Sequence, residues 1–178
     1  MSSSSPGTTV LLVLGATRSG TSALAHLLHL MGAHVGSVPS SKASPGHPQI
    51  GSYELTMVSD LCEDYLHWAN SSWLHCQSVL TQASARLEQR ARIVATHLLR
   101  WGATHGVPRG DAPVLIKHPM LVPTLGLWMR ALTPKHRVVV LYAARDPLAT
   151  IRSQLKYALW ERRADGAVER WRQLTELF

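Results

Sequence analysis

The chain has 178 residues, 46 % of them apolar and 16 % charged, which suits one domain with a sizeable core and excludes a disordered chain. The formal net charge is +7, and of the lysines and arginines only Arg18 and Lys42 precede Arg86. The basic half is therefore the C-terminal one, and such a field attracts polyanions: nucleic acid, acidic membrane or a small ligand with several phosphates.

The opening "MSSSSPG" reads as a disordered tail over residues 1–8, with a single α/β domain from 9 to 178. "TTVLLVLG" is a continuous apolar run closed by glycine, the pattern of a strand buried on both faces. Gly15, Gly20, Thr21 and Ser22 then keep the spacing of a phosphate-binding loop, but Thr21 stands where such a loop has its lysine. The nearest cation is Arg18. A helix follows, with Ala23, Leu24, Leu27, Leu28, Leu30 and Met31 at helical spacing and Gly32 as its stop.

Residues 37–52, rich in Ser, Pro and Gly, read as a long functional loop. A helix is predicted next, with Leu55, Val58, Leu61 and Leu66 on one side. Another long helix spans 78 to Gly102 or Gly106, its Arg86, Arg90 and Arg92 forming a solvated face. "APVLIKHP" is a second buried strand, followed by a helix to Leu132. "HRVVVLYAARDP" is a third, β-branched strand. Asp146 and Pro147 have the order of an N-cap and first helical residue. The helix they open places Leu148, Ile151, Leu155 and Leu159 in register, and a last amphipathic segment carries Val168, Trp171, Leu174 and Phe178.

Strands separated by helices predict a three-layer α/β/α fold with a central parallel sheet, a P-loop-like nucleotide-binding architecture. Ligands gather at the C-terminal edge of such strands. That edge holds the glycine loop, Lys117 with His118, and Arg145. Backbone N–H groups of the loop, the helix N-terminus and the hydroxyls of Thr21 and Ser22 form a phosphate cradle. The lysine of a nucleoside-triphosphatase loop works with Mg²⁺ on a γ-phosphoryl group. A sulfuryl group carries one negative charge fewer, so fixed donors and Arg18 suffice without metal.

"GATRSGTSALAHLL" resembles the 5′-phosphosulfate-binding loop of sulfotransferases, which use 3′-phosphoadenosine 5′-phosphosulfate (PAPS). "VVVLYAARDPLATIRSQLKYA" is similar to their 3′-phosphate motif, with Arg145 and, eight residues on, Ser153. "LIKHPM" occupies the place of a Lys-Asp-Pro-Arg-like turn, with His118 and Met120 replacing the charged pair. "GSYELTMVSDL" resembles the aromatic-Glu segment of the same group. The resemblance implies PAPS held by Gly15, Arg18, Ser19, Gly20, Thr21, Ser22, Arg145 and Ser153. It implies catalysis by Arg18 and Lys117, with Glu54 or His118 as base. The acceptor it implies is a hydroxyl or amine of a small molecule or carbohydrate, with no nucleic-acid or membrane partner and no metal expected.

The family usually continues beyond the 3′ motif, so a homodimer is one way to cover the nucleotide. The alternatives are a PAPS-binding protein without activity and a P-loop small-molecule kinase. Cys62 and Cys76 suit buried thiols in a reducing cytoplasm, and neither a targeting segment nor an apolar run of ~20 residues is seen.

Overall fold

The computed structural model describes residues 7–35, 43–44, 47–51, 53–71, 84–104, 112–133, 135–156 and 172. Most of the expected tail, the start of the expected long helix and the final amphipathic segment, with Val168, Trp171, Leu174 and Phe178, lie outside these residues. The elements run β1 (Thr9–Leu14), α1 (Thr21–Leu30), β2 (Ala43–Ser44), β3 (His47–Gly51), α2 (Thr56–Trp68), α3 (Ala85–Thr104), β4 (Val114–Lys117), α4 (Leu121–Leu132), β5 (Arg137–Tyr142) and α5 (Pro147–Lys156).

β1 lies between β4 and β5 and pairs parallel with both. Alternating β1 side chains separate the two faces of the sheet. Val10, Leu12 and Leu14 pack with Val58, Leu61, Tyr65, Leu98, Leu127 and Trp128 from α2, α3 and α4. Val13 packs on the other side with Ala25 of α1, Leu115, Val35 and Tyr53, supported by Leu11, Leu24 and Leu28. Helices therefore cover both faces, giving the expected α/β architecture around a parallel sheet.

Three local expectations are corrected. The segment 37–52 contains an antiparallel pair, β2 with β3, and β3 packs on α1. In α1 the buried positions are Thr21 and Ala25, whereas Leu27, Leu30 and Met31 are exposed. In α5 the buried residues are Thr150, Ile151 and Gln154, and Leu148 is exposed. The face of α5 turned inward is partly polar because it meets backbone of the glycine loop: Gln154 Nε2 donates to the Thr17 carbonyl at 2.9 Å. β5 is less buried than β4, with Arg137 and Val140 exposed.

The helix signals near the edge hold. Asp146 caps α5 by accepting from Ala149 N–H at 2.7 Å, and Pro147 opens the helix. Ser84 caps α3 by accepting from Leu87 N–H at 3.2 Å, so this helix starts at Ala85 and not at 78 as expected. Arg86, Arg90 and Arg92 are exposed, with Arg90 paired to Asp64 of α2 and Arg92 to Glu88 one turn before it.

Candidate active site

Sheet register brings the separate motifs to one edge. Val13 lies level with Lys117, Leu14 lies level with Tyr142, and Ala143 N–H donates to the Leu14 carbonyl at 2.8 Å. The loop from Gly15 to Gly20 therefore leaves the sheet between the end of β4 and the segment that carries Arg145.

Two glycines are needed there for different reasons. Gly15 has φ 152, and a Cβ on it would lie 2.6 Å from Ser19 Oγ and 2.8 Å from the Ala143 carbonyl oxygen. The loop thus closes against the next strand's exit with no room for a side chain. Gly20 has φ 101 and open space around it, so its requirement is conformational. Arg18 is itself left-handed at φ 72, which for a non-glycine residue costs about 1–2 kcal/mol. Both carbonyls that flank this strain are tied down. Gln154 donates to that of Thr17, and Arg145 Nη1 donates to that of Arg18 at 3.1 Å. With those carbonyls held, the loop can turn backbone N–H groups toward an anion, although that of Ser19 is already used, donating to the Ala16 carbonyl at 3.0 Å.

The cradle has the features an anion needs. No side chain caps the N-terminus of α1 at Gly20, so its first-turn N–H groups and dipole remain for a ligand. Ser19 is 8 % exposed, and its Oγ has no partner among the described residues. A buried hydroxyl without a partner is costly, and a phosphate oxygen beside it would satisfy it. The donor set fits an anionic phosphate or sulfate ester.

The glycine loop and α5 meet. Arg18 Nε donates to Ser153 Oγ at 3.0 Å across 135 positions of sequence. Arg145 stands exposed beside them. Arg18, Arg145 and Ser153 thus form one cluster between the loop and α5.

A second cluster lies at the end of β4. Lys117, 3 % exposed, places Nζ 2.5 Å from Glu54 Oε1 and 3.3 Å from Ser22 Oγ. Burial lowers the Lys117 pKa below its ordinary value, and the Glu54 carboxylate opposes part of that fall. Ser22 is in the first turn of α1, next to the position where a phosphate loop carries its lysine. In space, then, a lysine does stand at this loop. It comes from a different strand, with a carboxylate attached.

His118 is adjacent to Lys117 in sequence but has different partners. Its Nδ1 accepts from Met120 N–H at 3.2 Å, closing the turn from β4 into α4. Burial pushes its pKa down to about 4, with Glu54 opposing and Lys117 adding to the fall. With Nδ1 accepting, the proton of the neutral ring is on Nε2.

Sequence reasoning missed Gln154 and Tyr53. For Gln154 the only signal in the sequence is a polar side chain in a helix read as amphipathic. Tyr53 was visible as the aromatic beside Glu54, but its φ of 56 and 6 % exposure were not.

Among known families, the model of the sulfotransferase family matches residues 11–177. The chain belongs to the sulfotransferase family. No curated protein and no solved structure matched the chain. The match includes every residue of both clusters, so sulfuryl transfer is the general chemistry to weigh them against. Among the described residues no helix is long and apolar enough to cross a membrane, and no group of three or more His, Cys, Asp or Glu residues could hold a metal ion.

Proposed function

We propose that this sulfotransferase uses PAPS as donor and modifies a hydroxyl or amine of a small-molecule or carbohydrate acceptor. The observation that carries the reading is the 3.0 Å contact between Arg18 and Ser153. The 3′- and 5′-phosphates of a nucleotide share one ribose, so a protein that holds both needs two anion sites side by side. The loop around Arg18 and the Arg145–Ser153 pair meet that need. ATP lacks the 3′-phosphate and would leave the second site unmatched.

The bound donor supplies an activated sulfuryl group with adenosine 3′,5′-bisphosphate as its leaving group. Ser19, Thr21, Ser22 and the loop N–H groups between Gly15 and Gly20 hold the 5′ end. Arg145 and Ser153 hold the 3′-phosphate by charge-assisted hydrogen bonds. Arg18 adds positive charge where negative charge develops, and Lys117 adds a second cation beside Ser22. Glu54 takes the acceptor's proton, with Oε1 fixed by Lys117. The geometry favours Glu54 over His118, whose Nδ1 is used in the turn into α4. Selection of the acceptor falls to the segment 37–52, whose strand β3 lies against α1.

The test is calorimetric titration with adenosine 3′,5′-bisphosphate, and with ATP and Mg²⁺, on wild type and Arg18→Ala, together with transfer of labelled sulfate from PAPS to an acceptor panel. Metal-independent binding of the bisphosphate is expected. So is a loss of about 10²–10³ in transfer rate for Arg18→Ala, the usual effect of removing one donor to developing charge. Preference for ATP with Mg²⁺ would instead identify a kinase. Bisphosphate binding without transfer to any acceptor would identify a donor-binding protein.

A further inference from the structure

The segment that delivers Glu54 is built in an unusual way. Tyr53 belongs to the core cluster on the α1 side of the sheet, with Val13, Ala25 and Leu115. Leu55, two residues later, belongs to the cluster on the opposite side, with Val58, Leu61 and Trp128. The chain therefore crosses from one layer to the other at Glu54, at the edge where Lys117 ends β4. A two-residue crossing leaves little freedom, and the backbone makes it through a left-handed tyrosine at φ 56. For a bulky residue this conformation persists only where the surroundings enforce it.

The enforcing contacts come from α1. The Tyr53 hydroxyl and His26 Nδ1 share a hydrogen bond of 2.6 Å. The Tyr53 ring also packs against the rings of His26 and His29, at centroid distances of 6.0 and 5.9 Å. His29 is itself fixed, its Nδ1–H donating to the Ala33 carbonyl at 3.2 Å. Ser22, His26 and His29 are spaced i, i+4 and i+7, so they share one face of α1. Ser22 meets Lys117, and the two histidines meet Tyr53.

We propose that Tyr53, pinned to α1 through His26, is a positioning residue that sets the Glu54 carboxylate in register with the donor loop. One helix then carries the phosphate cradle at its N-terminus and the seat of the proton acceptor along its side. A movement of α1 would carry both together and preserve the spacing on which in-line transfer depends. The proposal rests on the assignment of Glu54 as base in the functional reading above.

The experiment compares Tyr53→Phe, which keeps the ring and loses the hydroxyl, with His26→Leu and His26→Asn. Asparagine places an amide that can donate or accept near the former Nδ1. Tyr53→Phe and His26→Leu are expected to lower kcat at least about tenfold. Affinity for adenosine 3′,5′-bisphosphate should stay at the wild-type value, and His26→Asn should recover most of the rate. A readout independent of turnover is the pH titration of the Lys117 ¹³Cε resonance, one of four lysines, assigned through Lys117→Arg. Its midpoint should fall in Tyr53→Phe and His26→Leu, because Glu54 is what opposes the effect of burial. An unmoved Lys117 titration in both variants overturns the positioning role, whatever the rates do. Unchanged kcat in both variants of an active enzyme also overturns it. Absence of PAPS-dependent transfer by the wild type would instead overturn the functional reading, and the titration would then decide the placement of Glu54 by itself.

Discussion

At the end of β4, Lys117 is 3 % exposed and its ammonium meets Glu54 and Ser22; past the end of β5, Arg145 is exposed and its guanidinium meets the Arg18 carbonyl. The strands leading to these cations differ in the same sense. All four residues of β4 are buried, whereas in β5 Arg137 and Val140 are exposed and the other four residues are half-buried. On the dry side a charge must be balanced within the protein, since water cannot do it. On the open side water balances the charge until a ligand replaces it. In the function proposed above, the first arrangement fixes the groups that handle protons, and the second receives the anion that comes and goes with the donor.

The largest expected consequence on the dry side is acid sensitivity from His118. Unfolded, its imidazole takes a proton near pH 6.5; folded, it resists down to about pH 4. Stability that is complete above pH 6.5 is therefore lost as pH falls toward 4. At about 1.4 kcal/mol per pH unit this amounts to about 3 kcal/mol. His118→Asn keeps an acceptor for Met120 N–H, as in an Asx-turn, and should flatten the acid limb. Urea unfolding between pH 4 and 7.5 reads the difference. Parallel curves for the two proteins would show that this end of the sheet is wetter than described.

Next in size is Glu54→Ala, which strands the buried Lys117 ammonium. The expected cost is about 2 kcal/mol in urea unfolding, below the range for a fully buried pair because the Glu54 side chain is 34 % exposed. Adding Lys117→Met should recover part of that loss, since the double variant leaves no unpaired charge. A double variant as unstable as the sum of the singles would break the pairing argument.

The smallest effect belongs to the open side. Arg145→Ala should weaken adenosine 3′,5′-bisphosphate binding by about 1.5 kcal/mol, the low end for a charge-assisted bond. It should also reduce the salt dependence of binding, because an exposed cation is screened and a buried pair is not. Calorimetry at low and high ionic strength separates the two. If Arg145→Ala leaves the salt slope intact, the two ends do not divide the labour as described.

The elements that build the site were readable because their signals are local. The apolar run of β1, the glycines at 15 and 20 and the Asp146–Pro147 cap each act on their own few residues. Lys117 and Arg145 could be placed at the sheet edge because each follows a buried or β-branched run. The inward face of α5 was misread, since an apolar stripe predicts burial against apolar partners and α5 also meets loop carbonyls. The pairing within residues 43–51 was hidden because Ser, Pro and Gly carry little strand preference, and cross-strand contacts decide there.

By itself the sequence determined the three parallel strands and the helices between them, the glycine loop and the residue types available for chemistry. Tertiary structure alone decided that Lys117 would meet Glu54 and Ser22, that Arg18 would meet Ser153, and that Tyr53 would rest on His26. Those partners lie between 27 and 135 positions apart. Patterns of a few residues set backbone conformation, but such contacts form only when the sheet and its two helical layers bring distant segments to one edge.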